Sequence, residues 1–224
     1  MPVRLDYQMI EEYVKPGDRV LDLGCGDGAL LEQLMAEKGV QGFGIDIDLD
    51  AVQKCIARGV PVYHGDMLEG LTMFEDERFD CVILSQTLQQ VLRPDSVVRE
   101  MLRVGRRAII SFPNFAHWRV RLQLLMLGRM PVTNALPYRW YETPNVHLLT
   151  IRDFLDLCRR QNLEIVDRIY LTPAYRRLPV TLSNLLAGMA IFVVQRGPAN
   201  APARATSRSA AGSAADSQAQ AARE

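Results

Sequence analysis

The chain has 224 residues, of which 48% are hydrophobic and 23% charged, proportions that suit one α/β domain or two very small ones. Its 26 Lys and Arg residues balance 26 Asp and Glu residues, so no overall positive charge favours nucleic acid or anionic lipid. The four cysteines form no CxxC pair, which predicts neither disulfides nor a metal site and indicates a reducing, cytoplasmic location. No apolar stretch suits a signal peptide or a membrane span.

Short β-branched segments alternate with helical patterns over the first half of the chain. The predicted strands are, in chain order, Arg19–Leu23, Gly42–Asp46, Val60–His64, Phe79–Ser85 and Ala108–Phe112. The predicted helices between them are Ala29–Lys38, Leu49–Arg58 and Ser96–Val104, the last introduced by Pro94. This alternation favours a doubly wound parallel sheet, whose ligands bind at the carboxyl ends of the strands near the switch in strand order.

The second half is less regular. Residues 114–145 are irregular and rich in Arg, Trp, Tyr and Pro. The elements predicted after them are a helix, a strand, an apolar turn or helix and a last strand, at Ile151–Asn162, Glu164–Leu171, Leu182–Leu186 and Ala190–Gln195. No long helix separates the last two strands, so they could pair antiparallel. Residues 197–224 contain eleven Ala and no Leu, Ile, Val or Phe, which predicts a disordered tail after one domain over residues 1–196.

The stretch VLDLGCGDG, residues 20–28, forms a glycine loop after the first predicted strand. Its glycines fit the loose dinucleotide pattern GxGxxG/A, and Asp46 lies 22 residues after Gly24, near the spacing of a ribose-binding carboxylate. Spacing alone does not separate NAD from other adenosine ligands. Asp22 and Asp27, however, place two carboxylates where a diphosphate would bind, which disfavours a nicotinamide dinucleotide and an oxidoreductase.

S-adenosylmethionine has no phosphate and fits these charges better. Asp22 could accept from its ammonium group, while N–H groups at the start of the helix could bind its carboxylate. We expect Asp46 to accept from both ribose hydroxyls, and Asp66 from the adenine amino group, with Met67 packing nearby. Taken alone, Asp46 or Asp66 is more simply a helix cap. The predicted cofactor-binding residues are Asp22, Gly24, Cys25, Gly26, Gly28, Asp46, Ile47, Asp66, Met67 and Ser85.

The strings VLDLGCGDG, GIDID, HGD and FDCVILS resemble the successive motifs of class I S-adenosylmethionine-dependent methyltransferases. This resemblance covers roughly residues 10–196 and implies a Rossmann-like, seven-stranded α/β sheet with an antiparallel last strand. Two longer strings, LSQTLQQVLRPDSVVREMLRVGRRAIISFPNFAHWRVRLQLL and GRMPVTNALPYRWYETPNVHLLTIRDF, resemble the methionine-biosynthesis family MetW. That family implies a methyltransferase-like protein that works with homoserine O-acyltransferase of the MetX type, with S-adenosylmethionine or S-adenosylhomocysteine in its pocket.

No general base stands out, and we assign no catalytic residue. His64, His117 and His147 are each more simply structural. Gln86 and Gln89 could present amides at an acceptor mouth, or could be polar residues at the start of a helix. The sequence Leu-Ser-Gln-Thr after the fourth strand lacks the Asn/Asp-Pro-Pro-aromatic motif of base amino methylases, which disfavours nucleic acid as the substrate.

Residues 115–147 hold both tryptophans, two tyrosines and four arginines beside a broad apolar helix face. Trp, Tyr and Arg are enriched in interface hot spots. The segment could be a lid helix packed on the sheet, a lid over an acceptor, or a docking surface. The MetW resemblance favours docking of the acyltransferase, because its strongest matches lie here. An active methyltransferase acting on a small molecule is the alternative function.

Overall fold

The computed structural model of the protein describes residues 5–133, 136 and 138–198. Within these residues, seven strands form one sheet in the order β3-β2-β1-β4-β5-β7-β6. The strands are β1 Arg19–Leu23, β2 Gln41–Asp46, β3 Val62–His64, β4 Cys81–Ser85, β5 Arg107–Pro113, β6 Leu163–Leu171 and β7 Met189–Arg196. The first five pair in parallel, whereas β7 runs antiparallel to both β5 and β6. The predicted seven-stranded sheet with an antiparallel last strand is confirmed.

Helices cover both faces of this sheet. They are α1 Leu5–Glu11, α2 Ala29–Lys38, α3 Leu49–Ala57, α4 Met67–Thr72, α5 Pro94–Val104, α6 Trp118–Leu127, α7 Ile151–Arg160 and α8 Ser183–Leu186, with 3-10 turns at Leu88–Gln90 and Val180–Leu182. Local chemistry fixes several of their starts. Asp48 caps α3 by accepting from the N–H of Asp50, and Thr150 with Asp153 forms a capping box at α7.

Alternate residues of the central strands enter two separate cores. Leu21 and Leu23 of β1 face one core with Phe112, Phe154 and Phe192, and the three rings pack against one another. Val20 lies in the other core, which includes the three buried leucines of α2. Because side chains alternate along a strand, covering both faces requires apolar residues at every position. This explains the continuous apolar runs in the sequence.

Most predicted elements differ from the observed ones by one or two residues at their ends, and a few differ more. β3 starts at Val62, because Pro61 lacks the N–H that a ladder requires. Phe79 lies outside β4 and makes only an isolated bridge to Gly105. Helices α1 and α4 were not predicted, whereas α6 is the helix whose apolar face was expected within the irregular segment. The predicted tail falls, from residue 199, outside the described residues.

No helix in the described part of the chain is both long and apolar enough to cross a bilayer. The four cysteines are free and buried. Within the same residues, no group of three or more His, Cys, Asp or Glu side chains is arranged to hold a metal ion.

Candidate functional site

A cleft of about 340 Å³ opens at the carboxyl ends of β1 to β4, where the strand order reverses. Six of the ten predicted cofactor-binding residues line it: Gly24, Asp46, Ile47, Asp66, Met67 and Ser85. The sequence analysis did not single out two further lining residues, Thr87 and Gln90. Their position directly after a strand at the switch point is the signal that could have found them.

The glycine loop requires glycine at two positions for both conformation and space. Gly24 has a φ of 67°, and a Cβ there would lie 2.9 Å from the Thr87 side chain. Gly28, at the N-cap of α2, has a φ of 76°, and its Cβ would lie 2.9 Å from the Sγ of Cys55. A side chain at either position would therefore strain the backbone and displace a neighbouring element.

Asp46 ends β2 and already holds the loop. Its Oδ2 accepts from the N–H of Gly26 at 2.7 Å, and its Oδ1 accepts from the N–H of Asp48 at 2.9 Å. A carboxylate has about four acceptor positions, so each oxygen can accept a further hydrogen bond. Asp46 can thus hold the loop and a pair of hydroxyl groups at the same time.

Asp66 caps the N-terminus of helix α4, as the simpler interpretation of this residue predicted. Its Oδ1 accepts from the N–H groups of Leu68 at 2.8 Å and Glu69 at 3.4 Å, and it starts α4. Asp66 also lines the cleft beside Met67. Capping therefore fixes its carboxylate at the cleft wall and does not remove it from the site.

Asp22 lies beneath the loop and is not among the residues that line the cleft. It is 3% exposed and pairs in register with Gly44 and Ile83 on the two neighbouring strands. Its negative charge contributes, after burial, to raising the pKa of the Cys25 thiol. Its predicted contact with a ligand ammonium stays a prediction.

Cys25 and Cys55 support the loop from behind. Their Sγ atoms are 3.7 Å apart, and the Cys55 thiol donates to the carbonyl of Gly26 at 3.1 Å. Burial raises the pKa of both thiols, so both are neutral at physiological pH. The remaining predicted residues, Gly26 and Gly28, do not line the cleft. The N–H of Gly26 donates to the Asp46 carboxylate, and Gly28 lies against Cys55.

The charge of Asp27 is compensated, which the sequence analysis did not foresee. The Arg58 guanidinium contacts the Asp27 carboxylate at 2.9 Å and the Glu32 carboxylate at 2.5 Å. Arg58 lies 31 residues along the chain, beyond the reach of any local pattern. The electrostatic argument against a diphosphate therefore depends on Asp22 and no longer on Asp27.

Gln86 adopts a left-handed backbone with a φ of 56° at the mouth of the cleft. Its N–H lies 3.0 Å from the carbonyl and 3.1 Å from the hydroxyl of Ser111, and Ser85 Oγ lies 3.2 Å from that hydroxyl. Such a conformation costs about 1–3 kcal/mol in a residue other than glycine and persists only where the surroundings impose it. The loop after β4 is thus held in one shape beside the cleft.

The histidines have structural contacts. His64 Nε2 lies 3.1 Å from the carbonyl of Ile47, and His147 Nε2 lies 3.4 Å from that of Leu92. His117 caps α6, with Nδ1 accepting from the N–H of Arg119 at 3.4 Å. Burial, and then the charge of Arg119, lowers the pKa of His117.

Helix α6 is not packed on the sheet as a lid, because Val120 is its one buried residue. Leu124, Leu125, Met126 and Leu127 are 49–81% exposed. The later part of the segment returns to the 3-10 turn Leu88–Gln90, where the carbonyl of Gln89 accepts from the N–H groups of Val146 and His147 at 2.9 and 3.0 Å. The segment thus presents apolar surface, while its end is held on the turn that contributes Gln90 to the cleft wall.

The comparisons with known proteins agree with this geometry. The sequence profile of the family described as methionine biosynthesis protein MetW matches residues 4–194. The chain is 35% identical over 205 residues to a bifunctional methionine biosynthesis protein MetXA/MetW of Rhodopirellula baltica, which covers 87% of this chain and 33% of that protein. It is 38% identical over 112 residues to a ubiquinone biosynthesis O-methyltransferase of Hahella chejuensis, and this match covers 47% of this chain and 45% of that protein. The chain therefore spans about a third of the length of the first relative and about half of the length of the second.

Solved structures share the fold at low identity. A SAM-dependent methyltransferase from Archaeoglobus fulgidus aligns with a TM-score of 0.66 at 15% identity, covering 87% of this chain and 93% of that one. The [4+2]-cyclase SpnF aligns with a TM-score of 0.62 at 18% identity, and the alignment covers 85% of this chain and 80% of that one. At such identities the likeness shows the fold alone, and a cyclase among the neighbours illustrates that this fold does not specify one reaction.

Proposed function

Because the chain belongs to the MetW family of methionine biosynthesis proteins, we propose that it binds S-adenosylmethionine or S-adenosylhomocysteine and associates with homoserine O-acyltransferase through residues 115–147. The proposed setting is the cytoplasm, with neither nucleic acid nor membrane as a partner. The observation that supports this proposal most directly is the exposed apolar surface of α6, together with a cleft at the ends of β1 to β4 that suits the nucleoside.

The cleft fits the nucleoside in shape and polarity. Ile47 is 69% exposed although it is apolar, and with Met67 it offers a surface on which an adenine ring can lie. Asp46 has acceptor capacity for the two ribose hydroxyls, and Asp66 for the adenine amino group. A side chain at Gly24 would meet the Thr87 side chain, so glycine leaves this part of the cleft wall open to the ligand.

When bound, the sulfonium would supply an electrophilic methyl group. This chain's own contribution is to hold the nucleoside by Asp46 and to fix the loop after β4 through Ser111. Methyl transfer needs alignment and exclusion of water more than acid–base catalysis. The same residues therefore serve a binding protein and an enzyme equally well.

Two observations support the acyltransferase as partner. The exposed residues of the segment include Trp140 at 74% and Tyr141 at 58%, and Trp and Tyr are enriched among the residues that dominate interface energetics. In addition, the Rhodopirellula baltica relative carries MetXA and MetW in one polypeptide by its name. Fusion of two activities in one chain is expected when the separate proteins work in contact.

Titration calorimetry with the purified homoserine O-acyltransferase of the same organism tests the proposal. We expect a complex, and separately a complex of this chain with S-adenosylmethionine or S-adenosylhomocysteine. If no heat of binding is measured with the acyltransferase, whether or not the nucleoside is present, the proposed association with this partner is wrong. If no heat of binding is measured with either nucleoside, the proposed cofactor is wrong.

An active small-molecule methyltransferase is the second candidate. It is favoured by the imposed backbone of Gln86, since strained residues concentrate at active sites. Incubation with S-adenosylmethionine labelled on the methyl group and a metabolite extract should then yield a labelled product. Absence of any labelled product across a broad extract would leave the binding role.

A further inference from the structure

The last turn of helix α6 exposes apolar side chains on every side. Leu124, Leu125, Met126 and Leu127 are consecutive, and all four are exposed. Successive helical residues are about 100° apart, so four in a row reach every side of the helix. A helical turn that is apolar on every side is normally buried on every side. A flat partner surface would cover one of these sides and leave the others in water.

The same segment carries an unbalanced positive charge. Residues 115–141 contain four arginines and no Asp or Glu, although the chain as a whole is neutral. Arginines elsewhere, such as Arg19, Arg58 and Arg103, contact carboxylates within about 3.1 Å. The positive charge of the segment is therefore local and available to a partner.

Three of the four arginines instead contact neutral groups. Arg119 lies over the ring of Trp118 at 5.3 Å, Arg121 donates to a backbone carbonyl at 2.6 Å, and Arg139 donates to the Tyr141 hydroxyl at 2.8 Å. Within the described residues, no carboxylate lies within 4.0 Å of any of the four guanidinium groups. Carboxylates supplied by a partner would complete these sites.

We infer that α6 inserts into an apolar groove of the acyltransferase and that carboxylates on the rim of the groove pair with the arginines of residues 115–141. This inference rests on the proposed function and specifies how the complex forms. A protein groove explains the exposure better than a membrane does, because a helix lying in a bilayer interface buries one face. A groove also explains why apolar residues and arginines occur together, since interfaces have an apolar centre and a polar rim.

The test is titration calorimetry of the acyltransferase against matched variants. Leu125→Asp places a charge at the centre of the proposed contact, and its control, Ile56→Asp, places one on the exposed, apolar Ile56 of α3. The double variant Arg119→Glu/Arg129→Glu reverses the rim charge, and Arg99→Glu on α5 is its control. All replaced side chains are exposed, so the fold should persist, and circular dichroism checks it.

We expect Leu125→Asp to weaken the complex roughly 100-fold or more, as for a central hot spot. The arginine double variant should weaken it roughly 10-fold, and affinity should depend less on salt between about 50 and about 300 mM sodium chloride. Both controls should stay within about twofold of the wild type.

Each contrary outcome has its own meaning. A complex of wild-type strength with Leu125→Asp and with the double variant overturns the inference and leaves the proposed partner in place. No complex with the wild-type chain overturns both. Binding to phosphatidylglycerol vesicles that is lost in Leu125→Asp would assign α6 to a membrane and overturn the inference. Binding to a single-stranded oligonucleotide that is lost in the same variant would also overturn it.

Discussion

The carboxylate of Asp46 accepts a hydrogen bond from the backbone N–H of Gly26 over 2.7 Å. The end of β2 thus fixes the middle of the glycine loop that follows β1. The same carboxylate lines the cleft, so loop geometry and ligand contact depend on one side chain. A substitution at this position acts on both.

Asp46→Ala should weaken S-adenosylmethionine binding roughly 10- to 100-fold, because charge-assisted hydrogen bonds contribute about 1.5–3 kcal/mol. Calorimetry measures the affinity. Asp48→Ala is the matched control, since Asp48 caps α3 two residues further on and should affect stability alone. Unchanged affinity in Asp46→Ala would show that the nucleoside binds elsewhere.

Gly28→Ala should destabilise the domain more than Gly26→Ala. Both glycines have a positive φ, but a Cβ at Gly28 meets the Sγ of Cys55, while one at Gly26 meets open space. We expect a loss of about 1 kcal/mol at Gly26 and about 2–4 kcal/mol at Gly28. Urea unfolding measures both, and adding Cys55→Ala should recover part of the larger loss. Equal losses at the two positions would contradict the steric contribution.

His117 should make the domain less stable in mild acid. Burial lowers its pKa below the ordinary value of 6.5, so the unfolded chain binds more protons as the pH falls below 6.5. The free energy of unfolding therefore decreases on acidification through that range. His117→Asn keeps a capping side chain without the titration and should reduce the slope between about pH 7 and about pH 5. An identical slope in the variant would exclude this role.

The thiols should react slowly in the folded protein. Burial raises the pKa of Cys81 and Cys158 to about 12 and also raises those of Cys25 and Cys55. Because the thiolate is the nucleophile, iodoacetamide at about pH 8 should modify the native chain slowly and all four cysteines rapidly in denaturant. Mass spectrometry counts the additions. Rapid labelling of Cys25 in the native chain would mean that the glycine loop opens readily.

The sequence predicted the first half of the fold well, because its signals are local. Helix α2 spans the predicted residues, since Gly28 and Gly39 fall at its two ends in the left-handed conformation. Helix α4 escaped prediction because six residues, one of them Gly70, give too short a pattern. The apolar face expected near α6 does not show that its last turn exposes four consecutive apolar residues, Leu124 to Leu127, on every side.

The sequence predicted which residues gather at the candidate site better than it predicted how deeply each of them is buried. Six of the ten predicted residues line the cleft, since strand ends bring Asp46, Asp66 and Ser85 to one edge of the sheet. Sequence spacing does not say which residues lie one layer back, as Asp22 and Cys25 do. Nor does it show the pairing of Asp27 with Arg58, which requires α2 and α3 to lie side by side.

The position of β7 has a consequence for biosynthesis. This strand is made after β5 and β6 but hydrogen-bonds between them. A nascent chain that has emerged only to residue 188 therefore holds two strands with a gap between them, and it cannot close the sheet. Ribosome-stalled chains exposed to that point should be digested by protease, whereas those exposed past Arg196 should resist. Translation of the last strand, and not of the nucleoside cleft, is what completes the domain.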